Sequence, residues 1–113
     1  MNIQIFGSKK NNDSKKVERY FKERGIRFQY IDMREKGMSA GEFQSVMRAV
    51  GGLDYMIDNE TKDQDTLSMI RYMSDEDARE KILENQHLLL LPIVRNGKQA
   101  TVGYQPEVWK EWQ

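Results

Sequence analysis

Residues 88–109, LLLLPIVRNGKQATVGYQPEVW, carry the reading that decides the fold. Leu88 to Arg95 is an apolar run too short and too sharply bounded for a helix, which makes it a strand. Asn96-Gly97 is the strongest short hairpin signal, so Lys98 to Gly103 reads as the antiparallel partner. Pro106 suits a first helical position, where its missing N–H costs nothing. Glu107 to Trp112 then forms a closing helix, with Val108, Trp109 and Trp112 expected against the sheet. The chain therefore ends β-β-α.

At the other end, Asn2 to Gly7 alternates in the strand manner, with Ile3 and Ile5 on one side and Gly7-Ser8 as a break. Asp13 or Ser14 can cap a helix on which Val17, Tyr20 and Phe21 recur, and Gly25 supplies its left-handed terminus. Ile26 to Met33 reads as a second strand. Short loops joining β-α-β require a right-handed crossover and a parallel pair.

The middle is helical. Ser39 can cap Ala40 to Val50, where Phe43, Val46 and Met47 share a face, and Gly51-Gly52 ends it. A short apolar turn follows at Leu53 to Ile57, then a polar loop from Asn59 to Asp65. Leu67, Ile70 and Met73 trace a brief helix, and Ser74-Asp75-Glu76-Asp77 caps another with an acidic first turn. The expected architecture is one α/β domain over 1–113: a mixed four-stranded sheet, β-α-β then β-β-α, with an all-helical insertion at about 38–86. A thioredoxin-like fold has this order, and several α/β sandwiches share it.

The 113-residue length suits one domain. With 0 cysteines the chain supplies no disulfide, no thiolate metal site and no redox or nucleophilic thiol. The 1 histidine, His87, leaves no Cys/His or His/His zinc constellation and reads as a surface residue before the apolar run. No apolar stretch approaches the roughly 18 residues of a membrane span, and Lys9-Lys10 arrives before any signal-peptide core, so the expected location is cytoplasmic. Net charge is 0 but uneven: residues 1–37 carry 10 Lys/Arg against 5 Asp/Glu, and residues 38–85 carry 5 against 11. Two electrostatic faces are expected, without strong direct nucleic-acid affinity.

Three stretches resemble the arsenate reductase (ArsC) and Spx family, and together they run over essentially the whole chain. Ile5-Phe6-Gly7 with Asp13-Ser14-Lys15-Lys16 lies where that family has a strand, an active-site cysteine and a Lys-rich helix start. Glu84-Asn85 through Leu91-Pro92-Ile93-Val94 is similar to its Asn-Pro to Arg-Pro-Ile-Val segment. Val102-Gly103-Tyr104 with Pro106-Glu107-Val108-Trp109 is close to its closing Val-Gly-Phe, Pro-Glu-x-Trp signature. The resemblance implies the thioredoxin-like fold and places Asn11 at the family's cysteine and Leu91 at its arginine. An amide forms no arsenate adduct or mixed disulfide, and leucine offers no bidentate charged donors. The resemblance also implies a cis peptide before Pro92, facing the Asn11 loop.

These departures lead to the expectation of a non-catalytic protein-interaction or regulatory module, with a reductase borrowing an external thiol such as glutathione as the alternative. No cofactor and no metal are expected; the acidic run Asp58, Glu60, Asp63 and Asp65 lacks the glycine and terminal glutamate of a calcium loop. Lys10, Asn11, Asn12, Ser14 and Pro92 form a candidate site for glutathione or an oxyanion, since free backbone N–H groups at a helix start favour anions. Asp13 opposes that use by meeting the same dipole. By analogy with Spx, Gly52 falls in a partner-contacting region, and the partner implied is an RNA polymerase subunit. Met33, Met38, Met47, Met56, Met69 and Met73 are read mainly as core filling.

Overall fold

The computed structural model describes residues 1–112, so only Gln113 of the expected domain lies outside the described residues. β1 (Ile3–Gly7), α1 (Asn12–Glu23) and β2 (Phe28–Asp32) open the chain. α2 (Ala40–Val50), a 3₁₀ turn at Leu53–Met56, α3 (Gln64–Ile70), α4 (Asp75–Glu84) and a second 3₁₀ turn at Gln86–Leu88 follow. β3 (Ile93–Asn96), β4 (Gln99–Val102) and the short α5 (Pro106–Trp109) close it.

The sheet order is β2-β1-β3-β4. β1 runs parallel to β2, in the register Ile5↔Tyr30, and antiparallel to β3, in the register Phe6↔Ile93. β3 and β4 form the hairpin. This mixed four-stranded sheet between helical layers is the thioredoxin-like α/β arrangement. Alternation along β1 feeds two cores. Ile3 and Ile5 face Val17, Tyr20 and Phe21 of α1 together with Trp109 and Trp112. Phe6 faces Phe43 and Val46 of α2 and, beyond them, Met56, Ile70 and Ile82.

Several boundaries differ from the sequence expectation. The N-cap of α1 is Asn11, whose side chain accepts from Ser14 N, and neither Asp13 nor Ser14 serves. Leu88 and Leu89 are buried outside any strand: Leu88 ends a 3₁₀ turn, and Leu89 makes one isolated bridge to Ile57. β3 starts only after Pro92, because a proline nitrogen cannot donate to the ladder. In the hairpin, Asn96 pairs with Gln99 and the two-residue loop is Gly97-Lys98. Gly97 takes φ 60 and, among the described residues, no non-glycine residue has positive φ, the signature of a turn with glycine at its first central position. Asn96 stays in the strand because its Oδ1 accepts from Asn2 N at 3.1 Å. α5 is one turn long, and Val108 is 40% exposed rather than packed on the sheet.

The helix between β2 and α3 follows its local chemistry. Ser39 and Glu42 make a reciprocal capping box, and Gly51 closes α2 at φ 99. Of the methionines, Met38, Met47 and Met56 are buried, whereas Met69 is 47% exposed on α3.

Candidate functional site

The parallel β1–β2 pair and the antiparallel β1–β3 pair bring the end of β1 and the start of β3 to one end of the sheet. With Phe6 opposite Ile93, Pro92 falls beside Gly7, and the loop Ser8–Asn11 leaves from that point into α1. The Leu91–Pro92 peptide is cis, Pro92 is buried, and its carbonyl accepts from Gly103 N at 2.7 Å. Backbone from all four strands therefore meets here: Met33 N, following β2, donates to the Gly7 carbonyl at 2.9 Å.

At the centre of this end is Ser14, fully buried. Asn11 Oδ1 accepts from Ser14 N at 2.7 Å and from Ser14 Oγ at 2.9 Å. Ser14 Oγ in turn accepts from Ser8 N at 3.2 Å, and Asn11 N donates to the Ser8 carbonyl at 3.0 Å. A Cβ on Gly7 would lie 2.7 Å from Ser14 Oγ and 2.8 Å from the Tyr30 hydroxyl, so only glycine allows these groups to close over the strand end. Burial, with the Glu18 carboxylate second, raises the Tyr30 hydroxyl above its ordinary 10.0 despite the opposing Ser14 hydrogen bond. Tyr30 is thus a neutral hydroxyl near pH 7, unsuited to act as a base.

Chemically, the Asn11 side chain is a helix cap and not a reactive group. The Asn11 oxygen is engaged twice, and an amide carries no nucleophile. Leu91 supplies no donor beside Pro92. Lys9, Lys10 and Asn12 are exposed, while Asp13 sits in the first turn of α1 and Lys16 lies 3.8 Å from its carboxylate. The structure thus groups Lys10 and Asn11, at the end of the loop, with Asn12 and Ser14, in the first turn of α1, and brings Pro92 to the same end of the sheet. Gly52 lies apart, after α2.

Gly52 has φ 143 and ψ 167, a region that essentially only glycine occupies. Its N–H donates to the Met47 carbonyl at 3.0 Å, so it belongs to the termination of α2. It also lines a cavity of about 550 Å³ between the Leu53–Met56 turn, α3 and α4. Leu67, Ile70 and Ala78 give that cavity an apolar floor, and Tyr55, Arg71 and Arg79 are exposed at its lining. Neither Asn11 nor Pro92 lines it.

Sequence reasoning missed Ser8 and Tyr30. The register Ile5↔Tyr30 could have put Tyr30 on the α1 side, but nothing in the local pattern tied it to Ser14. The acidic run between α2 and α3 is occupied with turns: Asp58 Oδ1 accepts from Glu60 N at 3.0 Å, and Asp63 caps α3. Asp63 Oδ2 also lies 2.8 Å from His87 Nε2. Hydrogen bonds from His87 and then Thr66 hold the Asp63 carboxyl below its ordinary 3.8. Among the described residues, no group of three His, Asp or Glu is arranged to hold a metal ion. No helix among them is long and apolar enough to cross a membrane.

The ArsC family model matches residues 6–112. No curated protein sequence matches. Among solved structures, an arsenate reductase from Vibrio cholerae is 23% identical with a TM-score of 0.85, covering 100% of this chain and 98% of that one. An ArsC-family-related protein from Bacteroides fragilis is 15% identical, also with a TM-score of 0.85 and the same coverages of 100% and 98%. A Staphylococcus aureus protein is 20% identical with a TM-score of 0.78, covering 97% of this chain and 98% of that one. At such identities the likeness is one of fold.

Proposed function

The chain belongs to the ArsC family, and from that premise we propose that it is a non-catalytic protein-interaction module built on the family scaffold. The observation that carries this reading is Asn11. It stands where the resemblance puts the nucleophile, in a chain with 0 cysteines, and its side-chain oxygen is used up in capping α1. Leu91 beside Pro92 removes the second element, since no guanidinium is there to grip an oxyanion. A scaffold kept without its reactive groups is suited to binding.

The partner in this reading is an RNA polymerase subunit, by analogy with Spx, at the surface around Gly52. Support comes from the cavity beside Gly52, whose apolar floor and exposed Tyr55 and Arg79 have the composition of a binding hot spot. A cytoplasmic setting belongs to the same reading. The test is recovery of a partner from the native cell, followed by reconstitution with the purified partner. A Tyr55→Ala/Arg79→Glu variant, both positions exposed, is expected to fold normally and lose the complex. An RNA polymerase subunit bound equally by that variant would overturn the assigned surface. Steady arsenate turnover with glutathione would overturn the non-catalytic reading in favour of a reductase with a borrowed thiol.

A further inference from the structure

On the opposite side of the sheet from the Gly52 cavity, a cleft of about 500 Å³ runs between α1 and α5. Lys16, Arg19, Arg24 and Lys110 line it, against two carboxylates, Glu23 and Glu107. Glu107 is engaged by Lys110 at 3.3 Å and Lys16 by Asp13 at 3.8 Å, which leaves Arg19 and Arg24 against Glu23. Arg19 makes no ion pair or side-chain hydrogen bond among the described residues, and it is exposed. The cleft therefore holds surplus positive charge.

Arg24 is the best-placed of these cations. Its guanidinium lies 3.7 Å from the centroid of the Tyr20 ring, and its Nη1 donates to the Tyr20 carbonyl at 3.1 Å. Tyr20 is itself fixed, being 6% exposed and edge-on to both Phe21 and Trp109. A guanidinium stacked on a rigid ring keeps in-plane donors free for a carboxylate and loses little freedom when one arrives. Tyr104 also lines the cleft, 42% exposed, with its ring edge-on to Trp109 at 5.5 Å and the Lys16 ammonium 6.0 Å from its centroid. A rigid aromatic surface thus accompanies the held fork.

The geometry points to a docking groove for an acidic segment of another protein, with an Asp or Glu carboxylate gripped by Arg24 and Arg19 and an apolar neighbour resting on Tyr104. Charge complementarity favours a peptide over a nucleic acid. Glu23 and Glu107 interrupt the basic lining, which a continuous phosphate backbone would meet unfavourably and spaced carboxylates can straddle. This inference does not rest on the Gly52 surface or on the absence of catalysis, because peptide binding is read without arsenate and without the native partner.

The test is fluorescence anisotropy of the purified full chain with a short labelled peptide alternating glutamate and leucine. Its glutamine counterpart and an oligothymidylate serve as comparison probes. Binding of the glutamate peptide alone is expected, weakening as salt rises. Arg19→Glu/Arg24→Glu should weaken it by roughly tenfold or more, while Lys62→Glu, exposed elsewhere, should leave it unchanged. Arg24→Lys keeps the charge but loses the fork and the stacking, and should still weaken binding several-fold; a diffuse charge field would not respond. Equal binding by Arg19→Glu/Arg24→Glu, no binding, or preference for the oligothymidylate would each overturn the proposal. So would salt-sensitive self-association without peptide binding, which would assign the groove to the acidic start of α4 in a second copy.

Discussion

Asn11 and Ser14 are joined twice: the Asn11 side-chain oxygen accepts from both the backbone N–H and the hydroxyl of Ser14, at 2.7 and 2.9 Å. One relation starts α1 and occupies the position where the resemblance puts a reactive thiol. It also links the loop to the sheet, because Ser14 Oγ accepts from Ser8 N above Gly7.

Replacing Asn11 by Ala removes the cap and strips the fully buried Ser14 hydroxyl of its acceptor. Cap removal costs about 0.5–2 kcal/mol. Leaving a buried polar group unpaired adds to that cost. The urea midpoint should fall accordingly, whereas Asn11→Ser, which can still cap, should lose only a fraction of that. Equal loss by both variants would show that the cap is not what stabilises the loop.

Introducing Asn11→Cys places a thiol at a helix N-terminus beside Lys9 and Lys10. Its pKa, read by thiolate absorbance against pH, should fall below the ordinary ~8.5 of a free cysteine. Arsenate reduction should nevertheless stay absent in this variant, since Leu91 still offers no charged donors. A thiol titrating at or above the ordinary value would contradict the electrostatics assigned to this loop.

Gly52→Ala separates backbone strain from contact. A Cβ there meets nothing within 4 Å, yet φ 143 is a conformation that alanine strongly disfavours. A destabilisation of about 1–3 kcal/mol is expected on thermal or urea unfolding. No change in stability would mean that the turn readily relaxes to another conformation.

How much of this was legible in the sequence depends on the range of the interactions. The β-α-β opening and the closing hairpin follow from local periodicity, and Ser39 with Glu42 announces its own capping box. The start of α1 was not legible, because Asn11, Asp13 and Ser14 are all competent caps. The choice falls to Asn11 only because Ser14 is drawn into the buried space beside Gly7 and Tyr30. Likewise, the run of leucines before Pro92 reads the same whether it is strand or buried turn. Leu88 and Leu89 are buried against the helical segment rather than within the sheet, a tertiary fact. Of the candidate site, Asn11, Leu91 and Pro92 were placed by resemblance to a family pattern, while Ser8 and Tyr30 join it only through folding.

Asp63 gives a pH dependence with a definite sign. Its carboxyl is held below the ordinary 3.8, first by the His87 hydrogen bond. A depressed native pKa contributes stability that is present above the unfolded-state value and lost as pH falls through the folded one. The stability advantage of the wild-type chain over Asp63→Asn should therefore shrink as pH falls below about 4. Urea midpoints followed down to acid pH check this, and an advantage that grew as pH fell below that value would contradict it.

The most direct measurement of the central claim is arsenate reduction by the purified wild-type chain, with glutathione and glutaredoxin supplied and a cysteine-containing ArsC enzyme run alongside. No rate above the protein-free background is expected, because Asn11 can accept hydrogen bonds but cannot attack. Sustained turnover proportional to the concentration of this chain, and lost with Pro92→Ala in a variant that still folds, would contradict the account and assign it a reductase with a borrowed thiol.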